Sequence, residues 1–118
     1  MSSLRGARVL VVEDEAMLSL NLEAMLHDLG CVVAASAGRL DDALQAARTS
    51  DFDVALLDVN LGGKRVDPVA EAIRARGVPI VFITGYGKTA ASGLVLAKPY
   101  DAAALEQMLN EALGTRRE

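Results

Sequence analysis

Tryptophan is absent from this chain, and the aromatic complement is limited to Phe52, Phe82, Tyr86 and Tyr100. A core built with so few rings must be aliphatic, and a hydrophobic fraction of 52% is enough to fill one. Cysteine is scarce too. Cys31 stands alone, which excludes a disulfide within the chain and reads as a small core residue. No apolar run approaches the ~18 residues of a membrane span, and Met-Ser-Ser-Leu-Arg leads into a strand-like segment, not a secretory leader. An excess of positive charge is also missing. Twelve bases face sixteen acids, a formal charge of −4, which argues against nucleic acid as a partner. The expectation is a cytoplasmic protein that contacts neither membrane nor nucleic acid. Its 118 residues suit a single domain, 1–118, with frayed ends around a core of residues 8–113.

What is present is an alternation of short apolar runs and longer amphipathic segments. Val9-Leu10-Val11-Val12 is a continuous apolar run of the kind found in strands buried on both faces. Leu18, Leu22, Met25, Leu26 and Leu29 then recur at helical spacing, and Gly30 stops the helix. Cys31 to Ala34 reads as a second strand, Leu40 to Arg48 as a second helix, and Val54 to Leu57 as a third strand ending in Asp58. Asp67-Pro68 suggests a cap followed by proline at the first helical position. Pro79 to Ile83 and Leu94 to Ala97 are the last strands, and Asp101 caps a final helix with Leu105, Met108, Leu109, Ala112 and Leu113 on one stripe. Met17, Met25 and Met108 read as packing residues, and His27 as a cation near a helix C-terminus. The pattern implies an α/β fold, a doubly wound parallel sheet with helices on both faces.

In such sheets ligands bind at the carboxyl ends of the strands. The residues just beyond the apolar runs are Glu13, Asp14 and Glu15 after the first, Asp58 after the third, Thr84 after the fourth and Lys98 after the fifth. Each has an ordinary reading by itself. Acids before a helix favour its dipole, an aspartate past a strand starts a loop, and a lone lysine is a solvated charge. Together they suggest more. Crowded carboxylates are relieved by a hard divalent cation such as Mg2+, held by Glu13 or Asp14 with Asp58 and a backbone carbonyl just beyond it. An aspartate can attack phosphorus to form an acyl phosphate, with metal, ammonium and hydroxyl neutralising the phosphoryl oxygens.

Residues 9–15 (Val-Leu-Val-Val-Glu-Asp-Glu), 56–61 (Leu-Leu-Asp-Val-Asn-Leu), 82–85 (Phe-Ile-Thr-Gly) and 97–100 (Ala-Lys-Pro-Tyr) resemble, in order, the motifs of bacterial two-component response-regulator receiver domains. The resemblance runs from Arg8 to Leu113 and implies the CheY-like, flavodoxin-like fold, five parallel strands in the order 2-1-3-4-5. By the same resemblance Asp58 is the phosphoacceptor and Glu13, Asp14, Asp58 and the backbone carbonyl of Asn60 hold Mg2+. Thr84 is then the switch hydroxyl, and Lys98 the site lysine before a cis bond to Pro99.

Two departures stand out. Val95 occupies the position, three before the lysine, where most such receivers carry an aromatic that swings on phosphorylation. Residues 85–93 are also too few for a helix of about eleven residues, so the fourth helix is shortened or missing. Both features are similar to the FATGUY subgroup of single-domain receivers.

The function implied is a stand-alone receiver, not an enzyme beyond its own phosphorylation and dephosphorylation. It takes phosphate from a sensor histidine kinase or phosphotransfer protein and signals to an output protein the sequence does not identify. The glycine-rich link 85–93 would carry the switch, and Tyr86 would shield the acyl phosphate. A phosphate sink or relay shares this chemistry. An aspartyl phosphohydrolase fits less well, because Asn60 stands where its general-acid aspartate belongs.

Overall fold

A computed structural model describes residues 4–85 and 94–117, with the side chains of residues 115–117 left aside. In chain order its elements are β1 (Arg8–Val12), α1 (Ala16–Asp28), β2 (Val32–Ala37), α2 (Leu40–Thr49), β3 (Val54–Asp58), the two-residue strands β4 (Asn60–Leu61) and β5 (Lys64–Arg65), α3 (Asp67–Ala75), β6 (Ile80–Thr84), β7 (Leu94–Ala97) and α4 (Ala102–Arg117). Five strands form one parallel sheet in the order β2-β1-β3-β6-β7. With the β4–β5 hairpin set aside, this is the expected order 2-1-3-4-5. Among the described residues there are four helices. The link expected to replace a further helix lies, from residue 86 to 93, outside them.

The apolar runs are continuous because each strand is covered on both faces, and the pleat sends alternate residues into two separate cores. Val9, Val11, Val54, Leu56, Val81 and Ile83 pack against Leu22 and Leu26 of α1 and Leu105 and Leu109 of α4. Leu10, Val12, Ala55, Leu57 and Phe82 face the other way, onto Ala43 and Ala47 of α2 and Val69 and Ile73 of α3. The sheet is therefore rigid where β1, β3 and β6 end, which is where the polar residues begin.

Several local expectations shift. β2 runs on to Ala37, because Ala35, Ser36 and Ala37 continue its pairing with β1 past an irregularity at Val9/Leu10. In α3, Val66 rather than Asp67 is the capping residue, and its carbonyl accepts from the Val69 and Ala70 N–H groups. Val66 is buried, and the helix starts one residue earlier than expected, at Asp67. Asp101 does cap α4, its Oδ1 accepting from Ala104 N–H at 2.9 Å. Gly114 to Arg117, expected to fray, continues α4. The segment before β1 is not loose either: Leu4 is fully buried, and Gly6 N–H donates to the Gly30 carbonyl at 2.8 Å. Met25 and Met108 pack against the core, but Met17 is 73% exposed and does not.

This layering makes a test. Leu56 lies at the centre of β3 with no exposed surface. Leu56→Ala should cost about 2–5 kcal/mol in urea unfolding, whereas Met17→Ala should stay within about 0.5 kcal/mol of the parent. Equal unfolding midpoints for the two variants would contradict the layering.

Candidate functional site

Strand register decides which side chains meet. Val12 is level with Leu57, Asp58 with Ile83, and Thr84 with Ala97. Glu13, Asp58, Thr84 and Lys98 therefore leave neighbouring strands at one edge of the sheet. The loops there are tied down by the backbone: Glu13 N–H donates to the Ala37 carbonyl, Val59 N–H to the Ile83 carbonyl and Lys98 N–H to the Thr84 carbonyl. The Lys98–Pro99 peptide is cis, as the resemblance implies.

Oxygens of Glu13, Asp14 and Asp58 lie within 4.8 Å of one another. Asp58 accepts a hydrogen bond on each oxygen, from Asn60 N–H at 3.0 Å on Oδ1 and from Lys98 Nζ at 3.0 Å on Oδ2. Lys98 Nζ also stands 3.6 Å from Glu13 Oε1. Glu13 is buried, and its other oxygen accepts from Glu15 N–H at 3.1 Å. Asp14 is exposed and accepts from Gly62 N–H at 2.8 Å.

The electrostatics follow from this crowding. Burial, reinforced by the nearby Asp58 charge, pushes the Glu13 carboxyl up to about 7, against the pull of Glu15 N–H and Lys98. For Lys98, burial works against the charged form, but the bond and charge of Asp58, with Glu13 behind it, raise its pKa overall. The Tyr100 hydroxyl is raised by burial and by the Glu13 charge. A cavity of about 480 Å³ opens beside Lys98, lined also by Leu18, Asn21, Met25, Gly85, Pro99 and Tyr100.

Of the residues singled out in the sequence, Glu13, Asp14, Asp58 and Lys98 share one cluster. Thr84 is buried at the end of the strand next to β3 and holds Lys98 through its backbone carbonyl. Asn60 contacts Asp58 through its N–H, and its side-chain oxygen accepts from Gly63 N–H at 3.0 Å. Val95 pairs with Phe82 in the sheet and packs on the α2–α3 side. Tyr86 and the rest of the link to residue 93 lie outside the described residues.

Two contributors were overlooked in the sequence. Gly62-Gly63 makes the β4–β5 turn that reaches Asp14, and a Gly-Gly pair between short polar segments is a hairpin signal. Gly38 lies so close beneath the acidic loop that a Cβ there would sit 3.2 Å from the Glu13 carbonyl oxygen. No local pattern marks such a contact, which depends on two loops meeting.

Comparison with known proteins agrees with the geometry. The chain is 29% identical over 117 residues to the phyllosphere-induced regulator PhyR of Methylorubrum extorquens, covering 92% of this chain and 44% of that protein. It spans about half the length of the curated relatives it matches. Among solved structures, the receiver domain of Erythrobacter litoralis PhyR superposes with a TM-score of 0.85 at 25% identity, covering 99% of this chain and 97% of that one. SdrG of Sphingomonas melonis Fr1 gives a TM-score of 0.78 at 35% identity, covering 96% and 98%. The model of the response regulator receiver domain matches residues 9–110, nearly the whole of the sheet and its helices. The chain belongs to the response regulator receiver domain family.

Proposed function

We propose that this chain is a phosphorylation-controlled switch with Asp58 as its phosphoacceptor, acting as a stand-alone receiver. The observation that carries the assignment is the Lys98 ammonium 3.0 Å from Asp58 Oδ2, on a buried carboxylate at the end of the central strand. A carboxylate oxygen of Asp58 attacks the phosphorus of a phosphohistidine on a sensor kinase or phosphotransfer protein. The new bond is O–P, the P–N bond breaks, and the imidazole leaves with its electron pair and takes a proton from water. The Asp58 electron pair becomes the O–P bond, and the phosphoryl oxygens bring their own negative charge into the site. Lys98 stands where it can pair with them, and Thr84 is the neighbouring strand-end hydroxyl.

The acidic cluster fits a magnesium ion in kind. Its candidate ligands are all hard oxygens, gathered within 4.8 Å of one another, and magnesium takes such oxygens at about 2.1 Å. Glu13, Asp14 and Asp58 would hold the ion, with the Asn60 backbone carbonyl beside them. A bound Mg2+ would neutralise phosphoryl oxygens that Lys98 does not reach.

Exposed Met17 and Leu20 lie on α1, the helix whose Leu18, Asn21 and Met25 line the cavity next to Lys98, and supply apolar surface on which a kinase or phosphotransfer partner could settle. The hydrolase alternative is disfavoured, since the Asn60 side chain is committed to Gly63 and carries no acid. No helix among the described residues is long and apolar enough to cross a membrane.

Incubation with a small phosphodonor and Mg2+ should add one phosphoryl group, found on Asp58 by mass spectrometry. Asp58→Asn should abolish the addition, and Lys98→Ala should slow it by about 10² or more if the ammonium stabilises the transferring group. Label persisting in Asp58→Asn would sink the assignment.

Glu13 makes a second prediction, on stability in metal-free buffer. Its carboxyl ionises near 4.5 in the unfolded chain and about 7 in the folded one, so the folded state keeps a proton the unfolded state gives up. Glu13 therefore lowers stability progressively from about pH 4.5 to 7, with no further loss above. Glu13→Gln should raise stability by about 1–3 kcal/mol at pH 8 and leave it unchanged at pH 4, while weakening phosphorylation. A pH-independent difference in urea midpoints would refute this account.

A further inference from the structure

Between the acceptor and α3 the chain folds back as a small hairpin that touches the acidic cluster. Asn60 pairs with Arg65 and Leu61 with Lys64, leaving Gly62 and Gly63 as a two-residue turn. Their φ angles are +58° and +83°, the double positive pair of a type I′ turn, whose twist suits an antiparallel hairpin. Asn60 braces this turn through the bond from Gly63 N–H to its side-chain oxygen, 3.0 Å long. Gly62 N–H then points out of the turn at Asp14 Oδ2, 2.8 Å away.

That contact falls on the cluster member that burial does least to fix. Glu13 and Asp58 are buried, but Asp14 is exposed, on the loop between β1 and α1. An exposed carboxylate samples several rotamers, and a metal ligand that must be ordered on binding loses affinity for that reason. A backbone amide held by a rigid turn removes much of that cost.

We propose that the 60–65 hairpin is the positioning element for Asp14. Its type I′ turn aims Gly62 N–H at Oδ2, holds the carboxylate toward Glu13 and Asp58, and so sets the affinity of the cluster for magnesium. The inference rests on the magnesium reading given above. Gly62 and Gly63 touch no metal and take part in no chemistry. By linkage the effect is reciprocal: a hairpin that tightens the ion must itself be stabilised by the ion.

Gly63 is the position at which to test this. A Cβ there would meet nothing within 4 Å, so a substitution acts through the backbone alone. Valine strongly disfavours positive φ, whereas asparagine tolerates it. Full-length parent, Gly63→Val and Gly63→Asn would be titrated with Mg2+ by calorimetry, with metal-free thermal unfolding measured alongside. Gly63→Val should bind Mg2+ about tenfold or more weaker, and Gly63→Asn close to the parent. Unaltered binding by Gly63→Val, or equal weakening by both variants, overturns the proposal. Should Gly63→Val fail to fold, amide exchange at Gly62 in the unsubstituted protein decides: it should slow on adding Mg2+, and unchanged or faster exchange overturns the proposal. A parent that binds no Mg2+ fails in a different way, since that result removes the magnesium reading itself.

Discussion

Three carboxylates that bring oxygens within 4.8 Å of one another, with one ammonium among the described residues beside them, are the constraint around which this edge of the molecule is built. Such a cluster opposes folding, because like charges repel and burial strips water from two of the three. The fold tolerates it because the strands beneath are covered on both faces and do not yield. Main-chain bonds supply the rest: Glu13, Asp14 and Asp58 each accept one from a backbone N–H, of Glu15, Gly62 and Asn60 respectively. These donors are fixed partial charges, and they compensate the carboxylates without spending a second cation. That leaves room for an external ion, which an additional lysine would exclude.

The sheet was legible in the sequence because burial on both faces writes itself as unbroken runs, Val9 to Val12 and Val54 to Leu57 being the clearest. The site was legible for a related reason: a polar residue right after such a run can only lie at a strand end. What was missed has no such signature. Leu4 is a single apolar residue ahead of β1, with no period to reveal that it packs into the core. Met17 follows the apolar character of α1 but sits off its buried stripe of Leu22 and Leu26. The Gly62 and Gly38 contacts with the acidic loop join residues 48 and 24 or 25 positions apart, and arise only once the loops are placed by the sheet.

Lys98 connects this electrostatic arrangement to the rest of the molecule. Its ammonium is shared between Asp58 and Glu13, while its backbone N–H is held by the Thr84 carbonyl at 2.8 Å. Any redistribution of charge at Asp58 must change how the ammonium divides itself, because one cation cannot stay equally close to a buried Glu13 and to phosphoryl oxygens further out. The ends of β6 and β7 would feel that change directly through the Lys98–Thr84 contact. No aromatic ring at position 95 is required for this first step, and Val95 lies in the sheet beside Phe82, packed on the α2–α3 side. The size of any response is bounded. Phosphorylation can bias the chain only by the difference in free energy between the two arrangements of Lys98 and its neighbours. Glu13 sets part of that difference: if Lys98 moves outward, the buried Glu13 carboxyl keeps the Glu15 N–H but loses its nearby cation, and this loss counts against the shift.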